Sequence, residues 1–184
     1  MLTKGIKKLL TLVNITSYMK YLYLVRHAKS SWDFPELTDF DRPLNKRGKR
    51  NAPEMGLRLA ARDLKPDAII SSPANRALTT ARVIAEQLEF PLENIFEEHE
   101  VYHATCSKLV ELICAFPDDK KCVMLVGHNP GFTDLANFLK EPDYYIGNVP
   151  TCGVVAIEFT LNHWSEVNKH CGRMLFFDYP KKSL

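Results

Sequence analysis

From Tyr21 onward the chain alternates compact apolar runs with segments whose apolar residues recur at helical spacing. Tyr21–Val25, Ala68–Ile70, Val123–Val126, Val154–Phe159 and Met174–Phe177 are short and mostly uninterrupted by polar residues, the pattern of strands buried on both faces. Between them lie amphipathic stretches. Asn45–Arg62 predicts a helix, and Pro53 inside it is expected to kink the helix or move its start. Ala77, Ala81, Ile84 and Leu88 form one stripe, preceded by Ser72-Pro73 as an expected N-cap and first-turn proline. Leu109, Val110, Ile113 and Phe116 form another, and Phe132, Leu135, Ala136 and Leu139 a fourth, opened by Asn129-Pro130. Strands alternating with helices predict an α/β fold, a three-layer sandwich whose mostly parallel central sheet is covered on both faces. The segment from Lys29 to Leu44 has no periodicity, and a loop of that length inside a compact domain is usually functional.

Composition narrows this picture. At 184 residues, 46% apolar and 25% charged, the chain suits one ordinary globular domain, expected over residues 19–184. No apolar run is long enough for a membrane-spanning helix, so no membrane partner is expected. Five cysteines without a C-x-x-C pair argue for reduced thiols and a cytoplasmic location. The net charge is +2, but Lys4, Lys7 and Lys8 fall in residues 1–18 with no acid among them. The remainder is therefore close to neutral and offers no basic face for nucleic acid. Residues 1–18 are expected to be an extension that adds nothing to the fold; the alternative is a short amphipathic helix carrying Ile6, Leu9, Leu10 and Val13.

Chemistry concentrates at strand ends. His27 follows the first apolar run with Arg26 between, and His128 follows Val123–Val126 and Gly127. In open α/β sheets ligands bind beyond the carboxyl ends of the strands, so both imidazoles are expected in one crevice. A lone histidine at a strand end is more often structural, but two in equivalent places point to catalysis. Arg76, in the first turn of the helix after Ala68–Ile70, is by itself as readily a solvated arginine. Beside a helix N-terminus and Arg26 it makes a phosphate site. Asn129 brings a second helix N-terminus beside His128. Two arginines and two histidines on one rim fit a dianionic phosphoryl group.

These residues resemble the histidine phosphatase superfamily. YLYLVRHAKSSW carries an Arg-His-Ala form of its Arg-His-Gly signature, SSPANRALTTA is similar to its second element, and LVGHNPG to the segment of its second histidine. DFDRPLNKRG is similar to a stretch of the SixA-type phosphohistidine phosphatase branch. The resemblance runs from about Met19 to Asn137. It implies a phosphoglycerate mutase-like fold and a metal-independent, cofactor-free phosphatase working through a covalent phosphohistidine. His27 would be the nucleophile, with Nδ1–H held by an acceptor and Nε2 free. Arg26, Arg76 and a protonated His128 would hold the phosphoryl oxygens. Glu100 stands where the family's general acid is expected, with a solvated acidic turn as the plain alternative, and Asp41 is a second candidate. Ser30, Ser31, Asn129 and Arg42 are candidate phosphate or substrate contacts. The substrate is expected to be a phosphorylated protein, most simply one carrying phosphohistidine. A small phosphate ester is the alternative, and a phospholigand-binding module without turnover a third; the oligomeric state is not legible.

Competing chemistries find little support. His99-Glu100-Val101-Tyr102-His103 matches the zinc-protease motif H-E-x-x-H, but it reads as strand end and loop and no third ligand follows. No cysteine has an arginine six places on, as cysteine phosphatases require. Asp39-Phe40-Asp41 imitates an aspartate-nucleophile motif without a buried strand before it. Neither a P-loop nor a Gly-x-Gly-x-x-Gly segment is present.

Overall fold

A computed structural model describes residues 19–182, so the reading of residues 1–18 lies outside the described part. Six strands form one sheet: β1 Met19–Arg26, β2 Ala68–Ser71, β3 Ile95–Glu97, β4 Cys122–Gly127, β5 Val154–Thr160 and β6 Gly172–Asp178. Their spatial order is β3-β2-β4-β1-β5-β6. The pairs β3–β2, β2–β4 and β4–β1 are parallel, whereas β5 runs antiparallel to β1 and to β6. The sheet is thus mostly parallel, with one reversed strand inside it.

Four helices cover the two faces: α1 Lys46–Ala60, α2 Asn75–Gln87, α3 Cys106–Cys114 and α4 Gly131–Leu139. Side chains alternate across a strand, so each strand feeds two cores. Leu22, Leu24, Val123, Leu125, Val155 and Ile157 pack with Leu109 and Ile113 of α3 and with Phe132 and Leu135 of α4. Val25, Met124, Val126 and Val154 pack on the other face, against Ala52, Met55 and Leu59 of α1 and Ala77, Ala81 and Ile84 of α2. The result is the expected three-layer α/β sandwich, the phosphoglycerate mutase-like architecture.

Several local expectations need correction. Helix α1 starts after Asn45, whose side chain accepts from the Gly48 N–H at 2.9 Å, and it continues through Pro53 with its start unmoved. Ser72 does not cap α2; the helix begins three residues later, after Ala74, with no side-chain cap. Asn129 does not cap α4 either, since the helix starts at Gly131 after Pro130. Both polar side chains are drawn into the site described below.

One close approach matters for that site. A Cβ on Gly48 would lie 2.2 Å from the Lys29 carbonyl oxygen. Glycine therefore lets the first turn of α1 press directly on the chain just after His27, where Asn45 N–H donates to the same carbonyl at 2.9 Å.

Candidate active site

The carboxyl ends of β1, β4 and β2 are neighbours in the sheet, with Arg26 opposite Gly127 and Ser71 opposite Val126. This adjacency brings His27 and His128 together, ring centroids 5.0 Å apart, at the top of the two central strands. Both are nearly buried, His27 at 9% and His128 at 4% exposure. The Nδ1–H of His27 donates to the Ala28 carbonyl at 2.7 Å, which leaves Nε2 with its lone pair. Ala28 is fixed in turn, its N–H donating to Thr80 Oγ1 at 3.0 Å while the Thr80 hydroxyl donates to the Arg76 carbonyl at 2.6 Å. His128 Nε2 lies 2.8 Å from the Ser72 hydroxyl oxygen.

Burial sets the charge of this centre. Loss of solvent pushes the His27 imidazole down to about 3 against the opposing hydrogen bond to Ala28, with Arg76, Arg26 and Arg42 adding repulsion. Loss of solvent likewise pushes His128 down to about 2, with His27 and Arg76 contributing. Burial and the neighbouring cations thus disfavour the protonated form expected of His128. Arg26 Nη1 donates to the Val149 carbonyl at 2.7 Å, while Arg26 Nε and His128 Nδ1 are buried without a partner among the described residues. Unsatisfied buried polar atoms are rare, and these two, with Asn129 Oδ1 near them, are free to meet a ligand.

A second ring surrounds the centre. Arg76 is nearly buried, and both its terminal nitrogens bind Asp39, one the backbone carbonyl and the other Oδ2 at 2.9 Å. The Asp39 carboxylate also accepts from Arg42 Nη1 at 2.8 Å and from the Tyr102 hydroxyl at 2.9 Å. Partial burial raises the Asp39 carboxyl, but the Tyr102 hydrogen bond and the two arginines outweigh it and hold it at about 2. His103 Nε2 stands 3.6 Å from the same carboxylate. Its ring stacks on that of His128, centroids 6.0 Å apart and planes inclined by 29°.

The structure thus brings His27, His128, Arg26 and Arg76 into one pocket. Ser30 and Arg42 bind each other at 2.6 Å, Arg42 also donates to the Ser31 carbonyl, and its guanidinium stacks on Trp32. These residues clamp the Lys29–Leu44 segment and reach the pocket through Asp39. The Asn129 amide donates to Asn148 Oδ1 and the Val149 carbonyl, the carbonyl that Arg26 also binds. Glu100 turns to Lys108 at 2.7 Å, and Asp41 accepts from Thr38 on the exposed loop; neither carboxylate contacts the histidines. His99–Val101 forms a single 3₁₀ turn, so H-E-x-x-H does not place two histidines on one helix face. Among the described residues no three potential ligands are grouped to hold a metal ion. Sequence reasoning missed Asp39, Tyr102, His103 and Ser72 as site residues. A signal existed for His103 in the histidine-rich motif, but it pointed to zinc.

A buried histidine pair beside arginines at the ends of central parallel strands is an arrangement able to handle a phosphoryl group. The profile of the histidine phosphatase superfamily, branch 1, matches residues 22–111. An uncharacterized chloroplastic protein of Arabidopsis thaliana is 30% identical over 159 residues, covering 82% of this chain and 72% of the relative. A structure from Agrobacterium tumefaciens that carries the name phosphohistidine phosphatase SixA is 29% identical, with a TM-score of 0.74 over 88% of this chain and 98% of its own. The protein histidine phosphatase SixA complexed with tungstate shares the fold at a TM-score of 0.74 and 18% identity, over 87% and 97% of the two chains. The chain belongs to the histidine phosphatase superfamily.

Proposed function

We propose that this phosphatase acts on phosphohistidine carried by a protein, through a phosphohistidine of its own at His27. The His27 Nε2 lone pair attacks phosphorus, the bond to the leaving group breaks, and its electron pair departs with that group. Arg26 and Arg76 hold the phosphoryl oxygens, and His128 takes up a proton once a dianion lies beside it. Water then attacks phosphorus and the P–Nε2 bond breaks. Its electron pair returns to an imidazole whose Nδ1–H stays on the Ala28 carbonyl, so His27 leaves as a neutral ring. The cationic work falls to side chains, and the reaction is expected to proceed in EDTA.

The substrate reading rests on one observation: the carboxylates nearest the pocket are committed elsewhere. Asp39 is held ionised by Tyr102, Arg76 and Arg42, and Glu100 is paired with Lys108. A poor alkoxide leaving group needs a carboxylic acid to protonate it; imidazole does not, because its distal nitrogen takes a proton near neutral pH. The test is kcat/KM, in EDTA, for a phosphohistidine protein, an alkyl phosphate and an activated aryl phosphate. Phosphohistidine and the aryl ester should exceed the alkyl ester by orders of magnitude, and an alkyl phosphate turned over as well as phosphohistidine would overturn the substrate reading. His27→Ala should abolish turnover and the acid-labile, alkali-stable label that marks the intermediate; a label on any other residue would overturn the nucleophile.

A further inference from the structure

His103 belongs to a motif that the reading above leaves unused, and its placement calls for an explanation. Its backbone lies in the left-handed region, φ 54°, which a non-glycine residue adopts at a cost and which clusters at functional sites. The neighbouring packing enforces this conformation. A Cβ on Gly131, the first residue of α4, would fall 2.2 Å from the Ala104 carbonyl oxygen, so the loop after His103 is pressed against the helix that follows His128. Tyr102 is pinned by its hydroxyl to Asp39, and its ring lies 5.4 Å from that of His128. His103 is thereby held on the rim with its ring 60% exposed, stacked on His128 and beside the Asp39 carboxylate.

In-line displacement at phosphorus puts nucleophile and leaving group on opposite sides. His27 is buried at the end of β1, so the first leaving group departs toward the open rim and the hydrolytic water enters from the same side. His103 stands on that rim. A carboxylate beside one ring nitrogen of a histidine stabilises the imidazolium that forms when the other nitrogen takes a proton, the logic of an Asp–His pair.

We propose that His103, positioned by Asp39, is the general base that activates water to hydrolyse the His27 phosphoenzyme. The water oxygen forms the new O–P bond while the P–Nε2 bond breaks and its electron pair returns to His27. The water proton passes to the His103 nitrogen that Asp39 does not take, and from the exposed ring to solvent. The inference rests on the covalent reading of His27 but not on the identity of the substrate.

The test uses an activated aryl phosphate, whose departure needs no acid, and compares wild type with His103→Asn, since asparagine accommodates the left-handed backbone. General base catalysis is worth about 10²-fold or more. The variant should lose about that factor in kcat while kcat/KM, which reports phosphoryl transfer to His27, stays within about twofold. Rapid quench should show a stoichiometric burst and labelled phosphoenzyme accumulating on His27. In His103→Gly, added imidazole should restore kcat. Equal losses in kcat and kcat/KM, or wild-type turnover of the phosphoenzyme, would overturn the role of His103. Wild-type turnover with no phosphoenzyme in either protein, by quench or trapping, would instead overturn the covalent reading.

Discussion

Two buried neutral histidines make the fold sensitive to acid over a defined window. Unfolded, each imidazole titrates at about 6.5; folded, His27 is pushed to about 3 and His128 to about 2. Below about pH 6.5 the unfolded chain therefore binds two protons that the native pocket refuses, so stability falls as pH falls. The contribution is intact above the unfolded value and is lost progressively until the folded values are reached. Because both folded values lie well below about pH 5.5, the loss between about pH 7.5 and about pH 5.5 depends only on the unfolded value. It amounts to about 1.4 kcal/mol for each histidine, or about 2.7 kcal/mol for the pair. Urea unfolding at the two pH values measures it directly, and the His27→Gln/His128→Gln variant supplies the control. The variant's absolute stability differs because its packing differs, but its dependence on pH should be flatter by about 2.7 kcal/mol over the same window. An equal pH dependence in both proteins would refute the neutral-pair reasoning.

Three further outcomes follow from single contacts. Gly48→Ala drives a methyl group into the Lys29 carbonyl and should lower stability by about 1–3 kcal/mol, read as a reduced urea midpoint, with activity falling as the chain after His27 shifts. Ser72→Ala removes the hydroxyl that holds His128 Nε2, and a lost hydrogen bond of about 1.4 kcal/mol should reduce kcat/KM roughly tenfold without changing the far-UV spectrum. Glu100→Gln breaks an exposed pair with Lys108, so kcat/KM should stay within about twofold for every substrate class and the urea midpoint should barely move; a large loss on alkyl phosphates would return Glu100 to the role of acid.

Five of the six strands and the paired histidines were legible because buried strands are continuous apolar runs, and the residue after such a run lies at the strand's carboxyl end; the short, largely exposed β3 has no such run. The reversed direction of β5 was not legible, because a buried apolar strand looks the same in either sense and its direction depends on how the chain returns after α4. The caps misled for a different reason. Ser72 and Asn129 are strong N-cap residues by type, but Ser72 binds His128 and Asn129 binds Asn148 and Val149, so tertiary partners took side chains that local preference assigned to helix ends. Asp39, Tyr102 and His103 come from segments more than sixty residues apart, joined by the Tyr102–Asp39 hydrogen bond. Such a meeting depends on loop conformation, which carries no periodicity.

The charge arrangement bears on how the proposed site would receive a phosphoryl group. Two arginines and two histidines, all charged and buried together, would repel one another strongly. Here the histidines are neutral, Asp39 offsets Arg76, and Val149 satisfies part of Arg26. Among the atoms left buried and unpartnered in the described residues are Arg26 Nε and His128 Nδ1. On the proposed reading, an entering dianion would satisfy these atoms and raise the proton affinity of His128. A singly charged ester of similar shape gains less from each of these changes. It would also compete less well with Asp39, whose backbone carbonyl and carboxylate each take one terminal nitrogen of Arg76. On the proposed reading, discrimination of a terminal phosphoryl group from a diester would rest on burial and on Asp39 together.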